Sequence, residues 1–458
     1  MNRALMIFGG LVGALLPCGC SEVERENHSR EFVVSVTNLT PQESLFDTGH
    51  FDTPDTEVRP GALGPGQSYR FDVVVWPGAQ LQVITMLLES NDAFVAFPPG
   101  GVALWTPTGE PIEGNRTRDL MLFDAGTERN EPLGVGPSQP LRQPAPDTGE
   151  PEHGRITVIS AAKDGASTGP EGVEFPGITE FVELHVVHLG GPDFRVVIRN
   201  VSPRDLLGRG STGGEEGSGP ALLSPGVFTV QPAARKLFEV GERASPQLER
   251  LVEDGEHGPL AEQLEFVRGV SSPLSGVVWA VHDGEVGLFA TGSQASAGLE
   301  RLVEDGRPQL LLEQLEQLED AGEIERHGLA PADGAVIEPG ATVEFRFHAS
   351  PGAHLDFVTG YLAANDKFVA GRSTGVPLFD ERGEPRTGEL DWALGLFDAG
   401  TEVDEPPGLG ANQFERQSRR NGGGPDENGL VREVHGEWMG TTYPRAEQIV
   451  SVRVGVSL

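Results

Sequence analysis

Cysteine is nearly missing from this 458-residue chain: Cys18 and Cys20 are the only two, and the 438 residues that follow contain none. That excludes internal disulfides, a thiolate metal site and a cysteine nucleophile beyond residue 20. Tyrosine is scarce, at three residues, and aromatics together reach 7 %. This argues against the aromatic-lined grooves in which paired acids cleave glycosidic bonds. Positive charge is short as well: 34 Lys and Arg face 69 Asp and Glu, for a net charge of −35. Such a chain repels nucleic-acid phosphates and attracts cations, so no nucleic-acid partner is expected. The eleven His form no His-x-x-x-His pair, and His185 and His188 fall on opposite sides of an expected strand. Gly165-Ala166-Ser167-Thr168-Gly169 matches a nucleophile elbow, but Pro170 and Gly172 break the helix that an elbow needs.

What is plentiful is Gly (62) and Pro (36), a composition of turns and short strands rather than long helices. The first residues read as a targeting segment. Arg3 precedes an apolar stretch from Ala4 to Leu16, too short to span a bilayer, which takes about 20 residues. Leu16-Pro17-Cys18-Gly19-Cys20 resembles a bacterial lipobox. Residues 1–20 are thus expected to be a lipoprotein signal peptide with Cys20 the lipidated residue, and 21–30 a polar tether. The implied location is the bacterial envelope, outer membrane or cell surface, with the lipid as membrane anchor.

The rest of the chain repeats itself. Asn91-Asp92-Ala93-Phe94 recurs as Asn365-Asp366-Lys367-Phe368, and Leu122 to Glu128 recurs identically as Leu396 to Glu402, both 274 residues apart. Phe32 to Asn38 reads like Phe194 to Asn200, and Phe181 to Val187 like Ile449 to Val454. Two domains are expected, 31–190 and 192–458, the second carrying a duplicated insert over about 221–320. In that insert Leu248 to Gly255 recurs as Leu299 to Gly306. Leu248, Leu251 and Val252 lie on one helical face, with Gly255 as terminator, so each copy reads as an extended segment plus a small helical hairpin covering one end of a sandwich. Elsewhere alternating apolar runs such as Tyr69 to Trp76 and Val343 to His348 predict a mainly β chain of antiparallel sandwiches.

Three acids stand at the same spacing in each copy: Asp92, Asp124 and Glu128, and Asp366, Asp398 and Glu402. Gly126 allows the backbone to bend between the second and third. Carboxylates from neighbouring loops, with carbonyls and water, suit Ca²⁺, which takes 6 to 8 oxygens. Neighbouring basic residues do not repeat: Lys367 stands opposite Ala93, and Arg129 opposite Val403. An ion pair is therefore not a shared explanation for the acids.

These residues resemble the spondin N-terminal domain: Asn-Asp followed by Phe, then Leu-Phe-Asp-Ala-Gly-Thr-Glu with Glu-Pro and Gly-x-Gly downstream. The resemblance implies two C2-like β-sandwiches, each with a bound Ca²⁺ on the acids named above, and a role in extracellular adhesion. The third acid is Glu where the family's animal members have Asp, and domain one lacks the family's early segment while domain two has it twice. The expected molecule is a calcium-binding envelope lipoprotein, an adhesion or binding module for an extracellular protein or glycan and not an enzyme. The alternatives are a structural envelope protein stapled by calcium, and a secreted hydrolase.

Overall fold

The computed structural model describes residues 29–208, 219–372, 375–420, 424–435, 437–438 and 441–457. The expected signal peptide, Cys20 and most of the tether lie outside them. Strands of four or more residues are β1 (Arg30–Asn38), β2 (Asp47–Phe51), β3 (Ser68–Val74), β4 (Ala79–Leu87), β5 (Ala93–Ala96), β6 (Met121–Asp124), β7 (Thr157–Ala161), β8 (Val182–Gly190), β9 (Asp193–Asn200) and β10 (Leu223–Pro232). Helices α1 (Pro246–Asp254) and α2 (Gly258–Phe266) follow, then β11 (Val277–His282), α3 (Ala297–Asp305) and α4 (Gln309–Asp320). The chain continues with β12 (Arg326–Ala330), β13 (Thr342–Ala349), β14 (His354–Gly360), β15 (Lys367–Gly371), β16 (Leu394–Asp398) and β17 (Val450–Val456). The molecule is mainly β, its strand pairings are antiparallel, and no sheet closes into a barrel among the described residues.

The strands form two units of like design. In unit one, a sheet β3-β9-β8 faces a larger one, β2-β10-β4-β5-β6-β7. Tyr69, Val196 and Leu184 from the first share a core with Leu81, Val95 and Leu122 from the second. In unit two, β13-β1-β17 faces β12-β11-β14-β15-β16, with Phe32, Val34 and Phe347 packed against Trp279, Phe357 and Leu396.

Helices add a third layer. Leu248, Leu251, Val252, Leu260 and Leu264 of α1 and α2 pack on Ile84, Phe94 and Phe123 of unit one's larger sheet. Leu299, Leu302, Val303, Leu311 and Leu315 do the same on Val278, Val358 and Phe368 of unit two. The larger sheets are therefore covered on both faces, and β4 and β11 are buried along nearly their whole length. The outer sheets keep one face in water, and β1 and β13 alternate accordingly. As expected, Gly255 ends α1 in a left-handed conformation (φ 71°) and Gly306 ends α3 (φ 64°).

The partition between units differs from the expected 31–190 and 192–458. The boundary near 190 falls in the hairpin joining β8 and β9, whose registers run Val182↔Asn200 to Gly190↔Asp193. β9 and β10 complete unit one, through β9–β3 and β10–β4. β1 belongs to unit two, between β13 and β17. The duplicated insert is likewise divided, one copy to each unit, and each helical pair covers a sheet face rather than the end of a sandwich. Unit one is thus a continuous segment set between β1 and β11 of unit two. Its ends meet where Leu45 and Gly269 exchange backbone hydrogen bonds of 2.8 and 3.0 Å.

The physical cause is that the strands ending in Asn are interchangeable by sequence. Buried Asn38 donates to Ser272 O and Ile337 O, both at 2.8 Å. Buried Asn200 donates to the corresponding Leu63 O and Ala221 O at 2.8 and 2.7 Å. Sequence similarity identifies such strands as copies but carries no information on which sheet each one joins.

Candidate metal centre

In unit one the register Ala93↔Asp124 aligns the start of β5 with the end of β6 and sets Asp92 beside Asp124. Both are buried. Asp92 Oδ2 accepts from the backbone N–H of Thr127 (2.7 Å) and Glu128 (3.2 Å) and from the Thr127 hydroxyl (3.1 Å). The turn that aims these donors requires Gly126: φ is 66°, and a Cβ there would lie 2.6 Å from Arg155 N. Asp124 Oδ1 accepts from Gly126 N (3.0 Å), and its Oδ2 from the Asn130 amide (2.5 Å). Asp92 Oδ1 and Asn130 Oδ1 are buried and have no hydrogen-bond partner among the described residues. A buried carboxylate oxygen left this way costs free energy unless a cation or proton meets it.

Glu152, ahead of β7, is the third acid whose oxygen comes close to those of Asp92 and Asp124. Glu128 is not. Its Oε1 accepts from Gly149 N (2.7 Å) and its Oε2 from Asn91 (3.2 Å), and it groups instead with Asp147 and with Glu253 of α1. The expected triad is thus split, with Asp92 and Asp124 together and Glu128 turned away. Sequence reading missed Glu152 and Asn130; Glu427, a counterpart to Glu152, was the available signal. It also missed Glu253 and Glu304, which recur in the helical repeat.

The acids of unit one resist ionisation. Burial, then the neighbouring Asp124 charge, holds Asp92 well above the ordinary range. Burial also raises Asp124, against hydrogen bonds from Asn130 and Gly126, and raises Glu152, with Asp124 adding to it. Glu128 is raised by burial against its Asn91 bond. Glu253 is pushed up to about 8 by burial, opposed by its bond with Thr127.

Unit two repeats the scaffold. Asp366 Oδ2 accepts from Thr401 N (2.7 Å), Thr401 Oγ1 (3.2 Å) and Glu402 N (3.1 Å). Glu402 is again turned away, accepting from Gly424 N (2.6 Å) and Asn365 (3.2 Å). The interior of the cluster differs. Lys367, fully buried where unit one has Ala93, places Nζ 2.9 Å from Asp366 Oδ1 and 2.9 Å from Asp398 Oδ2. It also pairs with Asp404, at the position of Asn130. The Tyr443 ring lies 5.6 Å from the same nitrogen. Arg432 adds a second cation, 2.6 Å from Asp398 and 3.0 Å from Glu427. Burial opposes the charge on Lys367, but Asp366 and Asp398 outweigh it and hold the ammonium protonated. Ion pairing, set aside from sequence because it does not repeat, is therefore the state of the second cluster. Asp366 and Asp398 face an ammonium, and Glu402 faces neither of them.

The oxygens of unit one fit a hard divalent cation: Asp92 Oδ1, Asp124, Glu152 and Asn130 Oδ1 are the donor types that Ca²⁺ takes, and no Lys or Arg is paired with Asp92 or Asp124 among the described residues. Elsewhere, Ser167 lies in a two-residue strand paired with Phe175 and no α-helix follows it, so the elbow motif is not an elbow. A scan against protein-family models gives no match, and a search of curated proteins gives none either.

Proposed function

We propose that this chain is a calcium-binding envelope lipoprotein, anchored through Cys20, whose two units are C2-like β-sandwiches of the spondin type. It serves as an adhesion or binding module for an extracellular protein or glycan, and not as an enzyme. The calcium expected in each copy is reduced here to one, held in unit one by Asp92, Asp124, Glu152 and Asn130. The observation that supports this most directly is the partnerless buried Asp92 Oδ1, at the position where the copy in unit two meets an ammonium.

When bound, calcium supplies a fixed double charge that lets the buried acids stay ionised at neutral pH. The chain's own groups do the rest. The N–H groups of Thr127 and Glu128 orient Asp92, and Gly126 and Asn130 orient Asp124. The loop from 124 to 131 and the segment around Glu152 are thereby fixed in one arrangement, which is the surface offered to a partner.

The test is thermal unfolding with saturating Ca²⁺, equal Mg²⁺ or EDTA, on wild type and Asp92→Asn. A site filled at 100 times its Kd adds about 2.7 kcal/mol, a shift of several degrees. Wild type should gain that shift with Ca²⁺ and the variant should not. Equal melting in all three media would sink the reading.

A further inference from the structure

A second group of ligand-type side chains lies on unit one, apart from the acidic cluster. His50 is on β2, Asp52 follows that strand, and His257 immediately precedes α2. The two imidazole centroids are 5.1 Å apart. Each ring presents Nε2 at 4.0 Å from the same oxygen, Asp52 Oδ2. The carboxylate is oriented from its other side, since the Thr53 hydroxyl donates to Oδ1 at 2.8 Å. We propose that His50, Asp52 and His257 bind a d-block divalent cation, zinc being the best suited, at a site independent of the calcium centre.

Ligand type is the first reason. Two imidazoles and one carboxylate are a common three-ligand set for zinc and leave further positions for water or a partner's side chain, whereas Ca²⁺ and Mg²⁺ prefer oxygen alone. Geometry is the second. Donors 2.1 Å from a tetrahedral ion are about 3.4 Å apart, so contacts of 4.0 Å need only small side-chain rotations to close. His50, with its side chain 53 % exposed, has room for this.

The other unit supplies the control. Val227↔His50 in unit one corresponds to Val278↔Leu329 in unit two. By the same alignment Pro331 stands in place of Asp52, and Pro308, 51 residues on, in place of His257. At these three positions the scaffold of unit two is therefore built from Leu and Pro, whose side chains are apolar. Nothing in the architecture requires two histidines and a carboxylate to converge here.

The experiment is zinc titration calorimetry on the full chain with Ca²⁺ saturating, so that the acidic cluster does not compete. Co²⁺ absorption reports the ligand field. One zinc per chain is expected, with a Co²⁺ spectrum showing nitrogen ligation. His257→Ala and Asp52→Asn should each weaken binding by roughly tenfold or more. His50→Leu, which copies unit two, guards against misfolding and should abolish binding while leaving the calcium-induced rise in melting temperature unchanged. Absence of bound zinc, or zinc held equally well by the His50→Leu variant, overturns the proposal. Because calcium is measured separately, a failed calcium reading leaves this test intact.

Discussion

The two acidic clusters share a backbone, a register and a set of N–H donors, and they differ in what neutralises them. Unit two carries Lys367 and Arg432 among its acids; unit one has Ala93 and Thr157 at those places and two buried oxygens without partners. On the reading proposed above, an ammonium on a strand and a metal ion from solution are alternative answers to one electrostatic problem. The first is covalently permanent. The second makes stability depend on the medium.

The strongest way to break the comparison is Lys367→Met. Removing one partner of a buried ion pair costs about 3–5 kcal/mol, so unit two should melt far earlier, as followed by hydrogen exchange in peptides spanning 354–398. Added Ca²⁺ should recover part of the loss only if the cluster then accepts a metal. The reverse exchange is Ala93→Lys with Asn130→Asp. It should make the melting of unit one insensitive to EDTA, removing the several-degree calcium shift.

A pH titration sharpens the contrast further. The raised folded values of Asp92, Asp124 and Glu253 mean that their stabilising contribution is complete below the ordinary carboxylate range and is lost as pH rises, for Glu253 through about 8. Burial also raises Glu304 to about 8, Glu402 to about 7 and, against Lys367, Asp398 to about 6, so unit two has a share of the same loss and the contrast rests on Asp92, which has no cation beside it. In EDTA unit one should therefore lose more stability than unit two between pH 5 and 8, and Ca²⁺ should remove the difference. Parallel decline of both units, read by exchange in peptides spanning 79–124 for unit one and 354–398 for unit two, would count against an unneutralised cluster in unit one. The smallest effect expected is that of Glu128→Gln. That carboxylate points toward Asp147 and Glu253, so calcium affinity should change less than about tenfold by calorimetry.

The sequence carried a good deal of this. Strand alternation, the helical faces of α1 and α3 and their glycine stops are local properties, and they appear where the pattern places them. Asp92 and Asp124 were legible because the duplication repeats them on either side of a register-fixed strand pair. The direction of a side chain was not legible. Glu128 lies one residue past Thr127, and its backbone N–H, not its carboxylate, faces Asp92. Nor was the meaning of Lys367: its failure to recur looked like evidence against ion pairing, when it marked the place where the copies diverge. Strand exchange escaped for a similar reason. Sheet membership is decided by long-range pairing, and two strands with the same apolar alternation and the same terminal Asn satisfy either sheet.

The position of β1 has a consequence for how the molecule is made. A chain emerges N-terminus first, whether from a ribosome or from a translocation channel. Among the described strands β1 is the earliest in the chain, yet its neighbours are Thr342–Ala349 and Val450–Val456. Unit one, closed at Leu45 and Gly269, has all its strands and both helices long before then. For most of its emergence the protein is a finished unit trailing an orphan strand, apolar on one face and with both edges unpaired. Such an edge invites pairing with another chain. Two molecules emerging side by side could satisfy it by exchanging β1, and a dimer joined in that way would need no contact that the monomer does not already make.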